Sequence, residues 1–419
     1  MLNALKLRKQ FPIYKKYPDL RFFDSAASSL KQKDVISRMN DYLSFNGTNV
    51  HRGVYRLASE ATTLYEEARV EVASFIHAEE DEVIFTKSTT HGLNMLARSF
   101  DELLEAKDEI ILSELEHHSN LLPWLELAYR KDLVVKFIPL EDGKITVENF
   151  KSVLTKKTKL VITHHISNVM GDIAPVEKMI KLARKVGALT VIDAAQSIAH
   201  LKVDVKKMDV DFLVFSGHKM YGPNGIGILY GKKASITQLR PTEFGGEMVD
   251  KVNLSGSSFK ALPYNFEAGT PAIAEAIGLT GAVRFLKKVG LKNIHQHELE
   301  LKNYIIDKLK DEEDIEIYNK DAKSGIITFN IKDLHPHDTA SFLDQYNVAV
   351  RAGHHCNQLT MKYLNQLATV RLSIGVYNTI EDCDIFIQAV KETRDFFKAL
   401  WKDLYGLKKH LSWSHYGSL

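Results

Sequence analysis

Asp211-Phe212-Leu213-Val214-Phe215-Ser216-Gly217-His218-Lys219 decides the fold. An apolar run feeds a small polar turn and then a lysine, and Tyr221-Gly222-Pro223-Asn224-Gly225 follows. Upstream, a second apolar run, Ala188-Leu189-Thr190-Val191-Ile192, ends at Asp193-Ala194-Ala195-Gln196. Short apolar runs bounded by turn residues read as strands of a buried parallel sheet. An amine and a carboxylate at the ends of two such strands suit one cofactor, pyridoxal phosphate. The lysine holds it as a Schiff base, and the carboxylate pairs with the pyridinium nitrogen and keeps the ring protonated. Taken singly, Lys219 reads as a solvated loop lysine and Asp193 as a helix N-cap. Taken together, with His218 and Gln196 beside them, they favour the cofactor.

The rest of the chain agrees with an α/β enzyme. Its 419 residues exceed one ordinary core, so two domains are expected. Seven strand candidates, at 82–86, 109–113, 133–137, 160–163, 188–192, 211–215 and 225–230, are mostly separated by helical stretches. That alternation predicts a mostly parallel seven-stranded sheet between helices, with ligands at the carboxyl ends of its strands. From about residue 290 the pattern changes to a smaller α+β unit. Its strands are expected at 325–330, 348–351 and 369–373. Its last helix carries Phe386, Val390, Phe397, Trp401 and Leu404 on one face, and the tail Ser412 to Leu419 reads as a frayed end. The expected division is a large cofactor-binding domain at 25–285 and a small domain of 1–24 plus 286–419.

A net charge of +2 with interspersed signs leaves little field for nucleic acid. No apolar run approaches the roughly 18 residues a membrane span needs. The basic, amphipathic start Met1-Leu2-Asn3-Ala4-Leu5-Lys6-Leu7-Arg8-Lys9 lacks the apolar region of a secretory signal and reads as a short docking helix, with a transit peptide as the alternative. Two cysteines, Cys356 and Cys383, make no disulfide framework, so a reducing compartment is expected: the cytoplasm, or an organelle in a eukaryote. Cys383 sits among acids and reads as inert.

Three further stretches carry chemistry. Lys87-Ser88-Thr89-Thr90-His91-Gly92 joins a strand to a helix, where free amides and hydroxyls bind a phosphate, or where Ser88 or Thr89 simply caps the helix. Ser216 and His218 offer further donors. Glu116-His117-His118-Ser119-Asn120 follows another strand, and an imidazole there would stack on a pyridine ring and move protons; a surface histidine or zinc ligand is the alternative. The His-His pairs lack a second cysteine or an HExxH spacing, so no metal site is assigned. Arg351-Ala352-Gly353-His354-His355-Cys356 places a cysteine in a polar turn beside positive groups that lower a thiol pKa, which points to a nucleophile rather than an inert thiol. Arg371 suits a bidentate grip on a substrate carboxylate.

These motifs resemble the class V aminotransferase family of fold type I pyridoxal-phosphate enzymes, and within it the type II cysteine desulfurases and selenocysteine lyases (Suf-type). Ser-Gly-His-Lys-x-Tyr-Gly-Pro at 216–223 and Arg-x-Gly-His-His-Cys at 351–356 carry the likeness, supported by His51-Arg52-Gly53, Gly245-Gly246-Glu247-Met248 and Phe266-Glu267-Ala268-Gly269-Thr270-Pro271. The resemblance implies that Lys219 binds the cofactor and shuttles protons, Asp193 meets the ring nitrogen, Gln196 the ring hydroxyl, and His117 the ring face. It implies phosphate contacts from Thr89, Thr90, Ser216 and His218, with Thr270 of the partner subunit in a homodimer. It places Asn168, Arg351, Arg371, His51 and Arg52 toward the substrate. Cys356 would then take sulfur from L-cysteine, leaving L-alanine and a persulfide. An acceptor protein would collect that sulfur for iron–sulfur cluster assembly. L-Selenocysteine is the alternative substrate, another lyase or aminotransferase reaction the alternative chemistry, and a non-catalytic scaffold the alternative outside enzymes. The sequence departs from the family pattern at Ser88, His91, Phe244 and Asn357-Gln358-Leu359-Thr360.

Overall fold

The computed structural model describes residues 2–410, with side chains through Leu400 and at Lys402. The side chains of Trp401 and Leu404 and the tail Ser412 to Leu419 lie outside the described residues. The central sheet has seven strands: β1 Val83–Thr86, β2 Glu109–Ser113, β3 Val134–Ile138, β4 Thr158–His164, β5 Leu189–Asp193, β6 Phe212–Ser216 and β7 Gly227–Gly231. Their spatial order is β1-β7-β6-β5-β4-β2-β3. All neighbours run parallel except at β7, which is antiparallel to both β1 and β6. The sheet is the mostly parallel one expected.

Its strands are buried on both faces because successive side chains enter different cores. Ile110 and Leu112 of β2, Val191 of β5, and Phe212 and Val214 of β6 face one apolar cluster. Their chain neighbours Ile111, Ile192, Leu213 and Phe215 face the other. The alternation is the period of two of a pleated strand, read here against two apolar layers. Sheet and phosphate loop pack closely. A Cβ on Gly227 of β7 would sit 2.6 Å from the backbone of Ser88, so β7 passes under that loop only with glycine there.

The smaller C-terminal domain holds a four-stranded antiparallel sheet in the order β8-β9-β11-β10, from Ile315–Ile317, Ile326–Ile331, Arg351–Gly353 and Thr369–Ser373. The stretch read as one strand at 348–351 is two. Val348–Ala349 pairs with Arg21–Phe22, whereas β10 pairs with β11. Phe23, Leu301, Phe329, Leu372, Phe386 and Val390 form this domain's core. The N-terminal segment touches both cores: Phe23 enters the small one, and Phe11 enters the large one, its ring centroid 5.0 Å from Tyr377 and 5.8 Å from Tyr221. The short helix Ala4–Arg8 anchors through Arg8, which donates to the Tyr377 carbonyl at 2.7 Å and pairs with Asp382. Cys383 is buried, and its thiol pKa is raised by burial first and then by Asp382 and Asp384. Among the described residues no helix is long and apolar enough to cross a membrane.

One buried ion pair fixes the strand that leads to the phosphate loop. Glu267 accepts from Arg69 at 2.7 and 3.0 Å and from the Phe85 N–H of β1 at 2.7 Å. Arg69 also donates to the Val83 carbonyl at 2.8 Å. Removing Glu267 leaves the buried Arg69 only its pairing with Glu66 at 2.9 Å, at a cost of up to about 3–5 kcal/mol. Glu267→Ala is therefore expected to lower the calorimetric unfolding midpoint by several degrees; an unchanged midpoint refutes the assignment.

Candidate active site

The carboxyl ends of β1, β2, β4, β5 and β6 open into one cavity of about 210 Å³. It begins where β1 runs into helix α1 (Thr89–Ser99), with Ser88 as N-cap accepting from the His91 N–H at 3.2 Å. Ser216, at the end of β6, accepts from the Thr89 N–H at 2.7 Å and meets the Thr89 hydroxyl at 2.7 Å. The Thr90 hydroxyl meets that of Ser119 at 2.7 Å. Hydroxyls and amides thus converge at a helix N-terminus, a cradle for an anion. His218 lines the same wall, and its imidazole is pushed down to about 4 by burial first and Lys219 second.

Asp193 and Lys219 face this cavity from neighbouring strand ends. Burial raises the Asp193 carboxyl pKa, and Lys219 opposes the rise; one oxygen accepts from the Ala195 N–H at 2.8 Å. Burial likewise lowers the Lys219 amine, with Asp193 opposing. A lowered amine pKa leaves more free base near neutrality, which is the nucleophilic form. Gln196 donates to the Ala26 carbonyl at 2.8 Å, which orients its amide at the cavity wall.

His117 caps helix α2 (His118–Lys131): its Nδ1 accepts from the Ser119 N–H at 3.1 Å, and Nε2 therefore carries the proton of the neutral ring. Burial, then Lys219, pushes it down to about 3, so the ring stays neutral across the working pH range. Beside this loop lies the cysteine turn, whose Cys356 carbonyl accepts from the His118 N–H at 2.8 Å. Cys356 is exposed and lines the cavity with Arg351 and His355. His355 is buried, with Nε2 2.9 Å from the Thr369 hydroxyl, and burial pushes it down to about 3. His354 points to solvent. Arg371 of β11 donates from Nη1 to the Asn168 carbonyl at 2.9 Å and from Nη2 to Asp24 at 3.3 Å. Its Nε is buried without a partner. Burial brings Arg371 down to about 10, still cationic at neutral pH.

The cavity thus collects Thr89, Thr90, His117, Asn168, Asp193, Gln196, Ser216, His218, Lys219, Arg351, Cys356 and Arg371. Three of the residues expected at the site stand elsewhere in this chain. Thr270 lines a second cavity of about 320 Å³ with Lys87, His91 and Glu243. His51 meets Glu66 at 2.8 Å, and Arg52 meets Glu247 at 2.8 Å. The departures have local roles: His91 pairs with Glu243 at 2.9 Å, and Phe244 is exposed against Phe259. Sequence reading missed Asp24, Ser119 and a buried cluster of four residues next to His117. In that cluster Glu116 accepts from Ser113 at 2.7 Å and Asn120 at 2.6 Å and meets His164 at 2.8 Å. The Ser113-x-x-Glu116 spacing was its one local signal.

The chain belongs to the family described as Aminotransferase class-V, whose sequence profile matches residues 21–386. That family depends on pyridoxal phosphate. A relative from Halalkalibacterium halodurans named "Probable cysteine desulfurase" is 44% identical over 402 residues, covering 94% of this chain and 99% of its own. One of the same name from Staphylococcus aureus is 46% identical over 397 residues, covering 93% and 96%. Among solved structures, a cysteine desulfurase of Thermococcus onnurineus NA1 superposes with a TM-score of 0.91 at 39% identity, covering 94% of this chain and 99% of its own. The cysteine desulfurase CsdA of Escherichia coli, described with an S-sulfonic acid, gives 0.89 at 32% identity, covering 94% and 99%.

The donor set fits the family's cofactor: an amine, a carboxylate, a flat neutral ring and an anion cradle share one cavity. Incubating the protein with pyridoxal phosphate and then borohydride is expected to fix the cofactor to the wild-type chain and not to Lys219→Ala. Labelling of the variant at another lysine sinks the assignment. Because His117 is neutral above about pH 3, His117→Phe is expected to lower turnover without changing the shape of its pH profile between about pH 6 and 9. A lost titration step in that window would count against a neutral ring.

Proposed function

We propose that this chain is a pyridoxal-phosphate-dependent cysteine desulfurase that converts L-cysteine to L-alanine and carries the sulfur as a persulfide on Cys356. The observation that carries the reading is the meeting of Lys219, Asp193 and Cys356 in one cavity of about 210 Å³. The names of the relatives support it. Bound there, pyridoxal phosphate supplies the electron sink for carbanion chemistry at the substrate's α-carbon.

The chain's own groups do the rest. Thr89, Thr90, Ser216 and His218 hold the phosphate, joined by Thr270 of the partner subunit in a homodimer. Asp193 keeps the ring nitrogen protonated, Gln196 reaches the ring hydroxyl, and His117 covers the ring face. Lys219 holds the cofactor between turnovers and moves the α-proton as general base and acid. Arg371, with its free Nε, takes the substrate carboxylate, with Asn168 and Arg351 beside it. Cys356 attacks the substrate sulfur as thiolate. The carbon–sulfur bond breaks, a sulfur–sulfur bond forms on Cys356, and the β-carbon gains a proton to become alanine's methyl group. A thiol of an acceptor protein then collects the outer sulfur for iron–sulfur cluster assembly.

Purified Cys356→Ala is expected to keep its cofactor absorbance and to lose alanine formation from L-cysteine. Full alanine formation in that variant ends the nucleophile assignment. Parallel assays with L-selenocysteine decide the substrate: faster alanine release from the selenol makes the chain a selenocysteine lyase instead.

A further inference from the structure

The turn bearing Cys356 is held by groups of which the chemistry above uses only Asn168. His355 and Cys356 both have left-handed backbones, at φ 53° and 54°. That conformation is unfavourable for a non-glycine residue, whose Cβ crowds the following carbonyl. Two in succession persist only where the surroundings fix them. The fixing comes from the loop at 114–118, which carries His117. The Cys356 carbonyl accepts from the His118 N–H at 2.8 Å, one of the free amides at the N-terminus of α2. The Gln358 N–H donates to His118 Nε2 at 3.2 Å, and the Thr360 hydroxyl to the Glu114 carbonyl at 3.3 Å.

Asn357 is at the centre of these bonds and is fully buried. Its Nδ2 donates to the Leu115 carbonyl at 2.9 Å and to Asn168 Oδ1 at 3.3 Å. Asn168 in turn donates to the His355 carbonyl at 2.8 Å. Asn357 Oδ1 accepts from the Thr360 N–H at 3.2 Å, which caps helix α4 (Gln358–Tyr363), α3 being Leu291–Leu309. One side chain therefore ties the cysteine turn to the loop of the stacking histidine and starts the helix that follows.

We infer that Asn357 is a positioning residue for the Cys356 thiol. This rests on the reading of Cys356 as the sulfur acceptor. Transfer between two sulfurs needs them at near-attack distance, and misplacement by about 1 Å costs on the order of 100-fold in rate. Loosening the clasp therefore lowers turnover far more than substrate binding, which Arg371 governs from β11 and which the clasp touches only through Asn168.

The test uses the cofactor-loaded enzyme with Asn357→Ala and Asn357→Ser. Serine retains an oxygen that caps α4 but is too short to reach Leu115. Both variants are expected to keep cofactor absorbance, to change KM for L-cysteine far less than kcat, to lose about ten-fold or more in kcat, and to show faster hydrogen exchange confined to residues 353–360 and 114–118. Wild-type kcat in Asn357→Ser, with Asn357→Ala impaired, reduces the residue to a helix cap and overturns the inference. So does unchanged kcat in both, unchanged exchange, or faster exchange throughout the chain with loss of cofactor. The exchange readout is independent of catalysis. If Cys356→Ala keeps full alanine formation, the functional reading fails, while exchange still decides whether the clasp exists.

Discussion

Two opposite charges buried at the ends of adjacent strands constrain the whole site. Neither Asp193 nor Lys219 is comfortable where it sits: burial pushes the carboxyl up and the amine down, and each partly offsets the other. Isolated, either would shed its charge. The sheet register keeps them together, since Asp193 pairs with Val214 on the neighbouring strand and Lys219 follows within one turn. That turn is tight enough to require glycine: a Cβ on Gly217 would lie 2.8 Å from Ile226 Cγ2 and 3.0 Å from the Pro223 carbonyl. The strand ends thus supply what a solvated lysine and aspartate could not, an amine biased toward its free base beside a fixed acid.

The histidines of the cavity follow from the same constraint. His117, His218 and His355 are all pushed below the usual imidazole range, to about 3, 4 and 3, with burial the largest cause each time. Three neutral rings leave the fixed positive charge to Arg351 and Arg371. This division suits a site meant for two anions. Neutral imidazoles can stack, donate and accept without adding charge, and on the proposed reading the Arg371 guanidinium takes the anion that the cofactor does not bring. Asp24 accepts from Arg371 Nη2, which fixes the direction of the guanidinium at the cavity wall.

Much of this was legible in the sequence, and the reason is local. Period-two apolar runs define strands whatever their partners, and chemistry at the carboxyl ends of parallel strands is a consequence of topology. Lys219, Asp193 and Ser216 were readable because each ends such a run. The Cys356 turn was readable from its charged neighbours. What escaped depends on contacts distant in sequence. Asp24 acts through Arg371, 347 positions away, and Asn357 through Leu115, 242 positions away. Asn357 looked like a departure in a loop, since nothing near it in the chain reveals the carbonyl it meets. The split of 348–351 into two strands was hidden for the same reason: its halves pair with partners from opposite ends of the chain.

Cys356 combines two properties that usually exclude each other, exposure to solvent and a backbone fixed on both sides. A mobile cysteine loop would carry sulfur outward by swinging, at the cost of entropy each time the thiol returned to its attack position. If Cys356 is the sulfur acceptor, as proposed, a clasped turn avoids that cost and delivers the thiol to the cavity in the same place at every turnover. The consequence falls on the second half-reaction. A thiol that does not travel must be approached, so release of the sulfur is governed by what reaches the exposed face beside His354 and not by motion of the turn itself.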